Sequence, residues 1–414
     1  MVPAQIDLSG LVSGTRYATD GYPYETWKQL RDHSPVHWVE SQGALPFWAI
    51  TRHADITEVS RNPDLYLNAP RLTVGSGRDA DLPVRMLLNM DRPEHHTYRR
   101  LVSPEFTPRS LSGLGDRVDE IANSILDSVP EAGELDFVAE VSAKLPIWVI
   151  ADMLGVPKGD WSLLFDWTNR TVGAADQEFT GAGMSAVETM NSAGSEMFEY
   201  FEQLAEQRRR EPRDDLATAL VRARIDGEPM PRYELLSYFF LLVVAGNETT
   251  RNATTGGLLA LLENPAQLER ARRDPELNKP LVEEVLRWTS PVAHFCRTAA
   301  RDVELGGQKI RAGESLCLFY PSANRDDRVF EAPDEFRIDR RPNRHIAFGV
   351  GEHVCLGAHV ARLELQVIFR RLLQRLESAE LAGPVQRLRS PVIGGIKHMP
   401  LRYRLAPAEA GQRD

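Results

Sequence analysis

Residues 348–357, Phe-Gly-Val-Gly-Glu-His-Val-Cys-Leu-Gly, constrain this chain more than any other stretch. Three of the ten are glycines, which let a backbone turn tightly and approach a ligand closely. An amphipathic helical pattern follows directly, so we expect the positive end of a helix to point back at Cys355. Because the thiolate form of cysteine ligates metals, these features favour a ligand-binding loop.

The single cysteine of this loop limits the kind of metal site that it can form. A structural zinc site needs about four nitrogen or sulfur ligands, which one cysteine cannot supply. One thiolate can instead be the axial ligand of a haem iron, where it pushes electron density toward cleavage of the O–O bond. For a bare Cys-x-Gly, the alternative is an ordinary glycine loop with a buried cysteine.

The full pattern Phe-Gly-x-Gly-x-His-x-Cys-x-Gly is more specific, and it resembles the haem-binding loop of the cytochrome P450 monooxygenases. The resemblance implies that haem b is the cofactor and that Cys355 is the only protein ligand of its iron. It also implies that Phe348, His353 and Gly357 lie at the cofactor.

Composition and charge argue against several other classes of protein. The 414 residues include 49 basic and 59 acidic residues, and the formal net charge of -10 argues against a general nucleic-acid binder. Three cysteines, an odd number in a chain of this length, are typical of a reducing cytosol rather than of a disulfide framework. No signal peptide and no apolar run of roughly 20 residues are evident. We predict a cytoplasmic chain without a membrane span that folds as a single domain over residues 1–414.

The longest helical pattern covers residues 231–262, which would form a helix on the order of 45–50 Å long. Its first half is apolar on all sides, which indicates a buried helix. The pattern changes at residues 245–250, Ala-Gly-Asn-Glu-Thr-Thr, where a carboxylate and hydroxyls are costly in a buried helix unless they are paired or functional. Two alternatives are that the helix emerges into solvent here and that Thr249 merely bonds back to the carbonyl of Ala245.

The same six residues resemble the oxygen-activation motif of the P450 family, with Glu248 in place of the commoner aspartate. The resemblance implies that Ala245 contacts the haem. It also implies that Glu248 and Thr249 deliver protons during catalysis.

Two further segments carry cations that resemble the family's haem-propionate ligands. His95 and Arg99 are four residues apart on one face of a predicted helix, and a solvated cationic turn is the alternative. Arg297 lies in a predicted strand, where a solvated arginine is the alternative. The resemblance implies that His95, Arg99, Arg297 and His353 neutralise the two propionates of the haem.

A structural charge group is predicted between the long helix and the cysteine loop. Glu284 and Arg287 are three apart on a predicted helix, a spacing that alone usually indicates a surface ion pair. Their position is the one at which the family carries this pair. The resemblance adds Arg340, from the irregular segment before the cysteine loop.

The resemblance implies a largely apolar substrate pocket above the haem. Residues 68–90 read as a long functional loop, and residues 171–195 are predicted to form a lid. The predicted lining residues are Met86, Leu88, Leu241, Val244, Val292, His294, Phe295 and Ile393. We predict His294 as the single polar group of this pocket, with a satisfied structural histidine as the alternative.

Taken over residues 20–405, the resemblance implies a mainly α fold of a dozen or more helices with small β-sheets. Haem would lie between the long central helix and the helix after the cysteine loop. The implied reaction inserts one atom of O2 into a C–H bond of a small hydrophobic molecule, with electrons from a ferredoxin and its ferredoxin reductase. Residues 245–252 and 395–401 resemble the branch that oxidises steroids, terpenoids and branched lipids. Alternatives are a tailoring enzyme for polyketide or aromatic natural products, a peroxide-driven enzyme and a non-catalytic haem protein.

Overall fold

The computed structural model of the chain describes residues 6–40, 45–74 and 85–407. Helices dominate this part of the chain. In chain order the α-helices are α1 Gly14–Asp20, α2 Tyr24–His33, α3 His53–Arg61, α4 Glu94–Val102, α5 Leu114–Asp127, α6 Lys144–Leu154, α7 Trp161–Val172, α8 Ala186–Arg210, α9 Leu216–Arg222, α10 Arg232–Glu263, α11 Pro265–Arg273, α12 Asn278–Thr289, α13 Tyr320–Ala323 and α14 Ala358–Arg375.

The strands are short and form small sheets. In chain order they are β1 Val36–Val39, β2 Phe47–Ile50, β3 Tyr66–Leu67, β4 Ala132–Asp136, β5 Arg224–Ile225, β6 Glu228–Pro229, β7 His294–Ala299, β8 Val303–Leu305, β9 Gln308–Ile310, β10 Ser315–Phe319, β11 Leu376–Leu381, β12 Gln386–Arg387, β13 Ile396–His398 and β14 Pro400–Leu405. The largest sheet has the order β1-β2-β10-β7-β3, and β10 runs parallel to β2 within it. The predicted mainly α class with small sheets is confirmed.

Helix α10 forms the centre of the largest hydrophobic core and packs against α6, α7, α8, α12 and α14. Its observed start and end each lie one residue after those of the predicted pattern. Close packing requires a glycine at Gly257, because a Cβ atom there would lie 2.6 Å from Phe369 Cζ and 2.8 Å from a Val285 methyl carbon. Helix α10 therefore packs closely against α12 and against α14, the helix that follows the cysteine loop.

Other predicted elements are found with local differences. The residue pattern of 36–39 and 46–50 predicts a β-hairpin, and β1 and β2 form it, with Val36 paired to Ile50. Residues 41–44, between the two strands, lie outside the described residues. Residues 75–84 of the predicted long loop also lie outside them. Among the described residues, no helix is both long and apolar enough to cross a bilayer.

Buried charges hold the segment that leads to the cysteine loop. Glu284, Arg287 and Arg340 are each at most 5% exposed. Arg287 donates to both carboxylate oxygens of Glu284 at 2.8 Å, and Arg340 Nε donates to the same carboxylate at 3.0 Å. Their remaining N–H groups donate to backbone carbonyls between residues 324 and 335. The structure thus brings these three residues together, and they anchor the backbone of residues 324–335, which precedes the cysteine loop.

Replacement of Glu284 with glutamine should destabilise the fold strongly. Two buried guanidinium groups would lose their counter-charge, and breaking a buried pair in this way typically costs about 3–5 kcal/mol. Denaturant unfolding of the haem-loaded protein measures the change. Glu202→Gln is the matched control, because Glu202 pairs with Arg232 at the protein surface. Equal stability of the Glu284 variant and this control would contradict the prediction.

Candidate active site

A cavity of about 950 Å³ lies beside the middle of α10. Its walls include residues 86–88, side chains of α4, α7, α8, α10 and α14, the cysteine loop and residues 390–393, together with Pro291, Val292 and Phe295. Most of these side chains are apolar. A volume near the upper end of the range for ligand pockets, together with apolar walls, suits bulky hydrophobic ligands.

Cys355 differs from the other two cysteines in its surroundings. Its side chain is exposed at the cavity wall, whereas Cys296 and Cys317 are buried in the largest sheet. Surrounding protein rather than bulk solvent encloses the thiol, so desolvation raises the pKa of Cys355. The N–H of Gly357 and the guanidinium of Arg99 partly offset this rise. The site therefore has an available sulfur and groups that favour its thiolate.

The glycines of the cysteine loop have backbone conformations that other residues adopt with strain. Gly349 has φ 70° and Gly351 has φ 82°. A Cβ atom on Gly351 would also lie 2.3 Å from the carbonyl oxygen of Ser60, so a side chain has no room there. The N–H of Cys355 donates to the carbonyl of Phe348 at 2.9 Å and closes the loop. This geometry holds the sulfur at the wall.

Basic groups from three separate segments converge on the same cavity. His95, Arg99, Arg297 and His353 all line it. The rings of His95 and His353 lie 3.9 Å apart between centroids. Burial and the neighbouring cations, His95 and Arg297 foremost, lower the pKa of His353 to about 2. Arg99 and Arg297 favour an anionic ligand here, and the neutral imidazole of His353 can form a hydrogen bond with it.

Residues 245–250 lie within α10, and the helix continues through them to Glu263. Ala245 is exposed to the cavity, while Glu248 is only 2% exposed. The alternative that the helix emerges into solvent here is therefore wrong. Thr249 lines the cavity, and its hydroxyl donates to the carbonyl of Ala245 at 3.2 Å. The back-bonded geometry that the sequence allowed is present, and it leaves the Thr249 oxygen free to accept a hydrogen bond from the cavity side.

Glu248 is paired away from the cavity centre. Its carboxylate forms an ion pair with Arg251, whose Nη1 donates to Asn169 Oδ1 of α7 at 3.0 Å. Burial raises the pKa of Glu248, and the charge of Arg251 partly offsets the rise. One carboxylate oxygen, Oε1, has no hydrogen-bond partner among the described residues. Glu248 is therefore a buried, ion-paired carboxylate with one oxygen that makes no hydrogen bond to the described residues.

A second buried acid, Glu364 of α14, was not predicted from the sequence. It is 3% exposed, lines the cavity, and has a pKa raised to about 8 by burial, with a hydrogen bond from Thr250 offsetting part of the rise. A neutral carboxyl can donate a proton where a surface glutamate cannot. The available signal was its spacing of four from Val360 and three from Val367, which places it on the buried face.

The raised pKa of Glu364 predicts a pH-dependent stability. The folded state binds this proton more tightly than the unfolded state, so the contribution is full below pH about 4.5 and is lost as pH rises through about 8. Replacement with glutamine should remove this dependence, which amounts to a few kcal/mol. Unfolding at pH 5 and at pH 8.5 measures it in parent, Glu364→Gln and the exposed control Glu377→Gln. Parallel pH profiles for parent and Glu364→Gln would contradict the prediction.

The structure places every predicted cofactor residue on the cavity wall: His95, Arg99, Ala245, Arg297, Phe348, His353, Cys355 and Gly357. The predicted proton-delivery residues Glu248 and Thr249 also line it. So do seven of the predicted substrate residues, namely Met86, Leu88, Leu241, Val244, Val292, Phe295 and Ile393. An isolated antiparallel bridge joins Val292 to Ile393.

The prediction that His294 is the polar group of the pocket is wrong. Successive side chains of a strand point to opposite faces, so Phe295 reaches the cavity while His294 points into the sheet core. His294 is fully buried, and the N–H of Val74 donates to its Nε2 at 3.2 Å. Burial lowers its pKa to about 4, so it is neutral near pH 7. The alternative, a structural histidine, fits the contact at Nε2, while Nδ1 has no hydrogen-bond partner among the described residues.

Sequence reasoning also missed the contribution of α8 to the cavity. Val187, Met190, Asn191, Ser195 and Phe198 line it from one face of the helix. Their spacing of three and four residues was a visible signal. The predicted lid at residues 171–195 overlaps only the start of this helix.

Comparisons with known proteins agree with this geometry. The sequence model of the cytochrome P450 family matches residues 276–396. A steroid C26-monooxygenase of Mycolicibacterium smegmatis is 37% identical over 92% of this chain and 90% of its own length. A cytochrome P450 of Mycobacterium marinum in complex with pseudoionone is 34% identical, has a TM-score of 0.89, and is aligned over 97% of this chain and 100% of its own. A Bacillus megaterium cytochrome P450 in complex with corticosterone is 32% identical and has a TM-score of 0.81. Its alignment covers 92% of this chain and 98% of its own.

Haem b is the cofactor of proteins of this kind, and the residues present fit it. Cys355 offers the sulfur at the cavity wall. Arg99 and Arg297 offer positive charge, and the imidazoles of His95 and His353 offer hydrogen bonds, which together complement two propionates. The apolar walls suit the porphyrin and a hydrophobic substrate. With a relative 37% identical that covers nine-tenths of both chains, this chain belongs to the cytochrome P450 family and is a haem-dependent monooxygenase of small hydrophobic molecules.

Proposed function

We propose that this cytochrome P450 hydroxylates the side chain of a steroid. The observation that carries the proposal is the 37% identity to a steroid C26-monooxygenase over 92% of this chain. A cavity of about 950 Å³ with mostly apolar walls supports it, because such walls suit a bulky hydrophobic ligand.

We propose that Cys355 is the only protein ligand of the iron and that His95, Arg99, Arg297 and His353 bind the propionates. A buried carboxylate needs charge-assisted partners, and these residues supply them. Ala245 and Phe348 would border the porphyrin. When bound, the haem supplies the iron at which O2 is activated and from which one oxygen atom reaches the substrate.

The chain itself would supply two protons, because the other oxygen atom leaves as water. Thr249 would hold a water molecule on the cavity side of α10. Its hydroxyl oxygen can accept a hydrogen bond from that water while the hydroxyl proton stays hydrogen-bonded to the carbonyl of Ala245. Glu248 would exchange protons with that water by turning from Arg251, to which it is now paired. Glu364 would serve as a second proton reservoir, because burial keeps it largely neutral near pH 7.

We propose that a ferredoxin and its ferredoxin reductase supply the two electrons, as the family resemblance implies. We further propose a single domain over residues 1–414, supported by alignment of 98% of this chain with 100% of a solved bacterial cytochrome P450. A cytoplasmic location is consistent with the free thiols of Cys296, Cys317 and Cys355.

A binding screen followed by turnover tests the substrate class. We expect steroids with an intact side chain to shift the haem absorption of the loaded protein at lower concentration than terpenes, fatty acids or macrolides. Incubation with O2, NAD(P)H, a surrogate ferredoxin and its reductase should then add one oxygen atom to the side chain, as seen by mass spectrometry. Tighter binding and faster turnover of a macrolide or an aromatic polyketide would overturn the steroid assignment.

A further inference from the structure

Helix α8 presents a polar pair inside a mostly apolar wall of the cavity. Asn191 and Ser195 lie four residues apart, so their side chains are neighbours on the same helix face. Both are exposed and line the cavity, between Met190 and Phe198. Neither the haem loop nor the proton-delivery residues account for them.

Other polar side chains of the cavity wall are already engaged. Asn68 bonds to His353, the Thr171 hydroxyl donates to a carbonyl of its own helix at 2.7 Å, and the Ser390 oxygen accepts from backbone N–H groups two and three residues on. Within residues 6–40, 45–74 and 85–407, the side chains of Asn191 and Ser195 make no hydrogen bond. Their donors and acceptors are therefore available to a ligand.

The polar pair of α8 is separated from the oxidation site, because α8 contacts α10 well before Thr249. A Cβ atom on Gly194 would lie 3.7 Å from Phe240, and the rings of Phe198 and Phe240 are 6.2 Å apart between centroids. Helix α8 therefore meets α10 at Phe240, nine residues before Thr249. That separation corresponds to about 13 Å along a helix. A ligand long enough to touch both regions must have its two ends in different surroundings.

We propose that Asn191 and Ser195 bind the polar end of the substrate, at the end opposite the carbon that is oxidised. This inference rests on the proposed steroid function. A steroid hydroxylated at the end of its side chain has its ring oxygen, at C3, at the opposite end of the molecule. Burying that oxygen without a partner is unfavourable, whereas the amide of Asn191 can donate or accept and the hydroxyl of Ser195 can do both. The pair would thereby set which carbon reaches the iron.

The test compares two ligands that differ in one oxygen. Cholest-4-en-3-one and its deoxygenated analogue cholest-4-ene are titrated into haem-loaded parent protein, Asn191→Leu and Ser195→Ala, with the absorption shift as the readout. We expect Asn191→Leu to weaken binding of the ketone about tenfold and to leave the hydrocarbon unchanged, because only the ketone loses a hydrogen bond. The proportion of side-chain-terminal product should fall in parallel.

Two further variants sharpen the test. Ser192→Ala is the matched control, because Ser192 lies on the same helix outside the cavity and bonds to Glu196 at 2.9 Å. Asn191→Asp replaces an amide that can donate with a carboxylate that can only accept. It should weaken binding of the ketone but retain binding of the 3-hydroxy analogue cholesterol.

The outcomes distinguish failure of this inference from failure of the proposed function. One outcome is that Asn191→Leu changes the affinity for ketone and hydrocarbon by the same factor, or changes neither affinity. In either case the polar pair is not the anchor, while the steroid assignment stands. If the parent protein binds no steroid while it binds and oxidises another class, the steroid assignment and the anchor are both overturned.

Discussion

Replacement of Cys355 with alanine should abolish the strongly red-shifted absorption of the ferrous–CO complex. That absorption requires a thiolate opposite the bound CO, and Cys355 is the cysteine whose sulfur faces the cavity. We expect the variant to lose essentially all oxygenase activity with the spectrum. Difference spectroscopy of the reduced, CO-treated protein measures the effect directly.

The other two cysteines provide matched controls for this experiment. Cys296 and Cys317 face each other across β7 and β10, and burial raises the pKa of Cys317 well above its ordinary value. Alanine at either position should cost some packing energy in the sheet but preserve the absorption. A normal ferrous–CO spectrum for Cys355→Ala, or its loss in either control, would contradict the assignment of the axial ligand.

The sequence predicted a residue best where its local pattern and its position in the family pattern indicated the same role. Gly349 and Gly351 have positive φ values, and Gly351 lies close to the backbone of Ser60. Glycine is the residue that such local conditions favour, so the sequence alone indicates them. The buried character of α10 was likewise visible in its apolar first half. For Glu284 and Arg287, local spacing alone indicated only a surface pair. Position relative to the cysteine loop was needed to infer a buried group.

The roles of the residues that were missed or wrongly predicted depend on which elements pack against them. Alternation along β7 means that Phe295 and His294 cannot both face the cavity, but the sequence does not state which face is which. Glu364 reads as a charged residue on an amphipathic helix until Thr250 of α10 is placed beside it. The cavity role of Asn191 similarly depends on the packing of α8 against α10. Such facts come from tertiary contacts rather than from spacing.

Replacement of Thr249 with alanine should leave haem and substrate binding intact while diverting electrons from product to peroxide. Without the hydroxyl, the proton-donating water that we propose beside Thr249 would lose the group that holds it, so much of the reduced oxygen should leave as H2O2. A positioned proton donor contributes about 10²–10⁴-fold in rate, so product per NAD(P)H should fall roughly tenfold or more. Thr249→Ser keeps the hydroxyl and should retain most of the coupling.

A second threonine of α10 separates this role from a purely structural one. The Thr254 hydroxyl donates to the carbonyl of Thr250 at 2.9 Å, which is the same back-bonded geometry as that of Thr249 with Ala245. Thr254 is 1% exposed and buried beyond the cavity, so its replacement with alanine removes an equivalent hydrogen bond without touching the site. Thr254→Ala should therefore lower the unfolding midpoint and preserve product per electron. If Thr249→Ala also lowers only stability, with product and peroxide per NAD(P)H as in the parent, the Thr249 hydroxyl stabilises α10 and does not guide protons. Protons would then reach the site by another route, for which Glu364 on the cavity wall is a candidate.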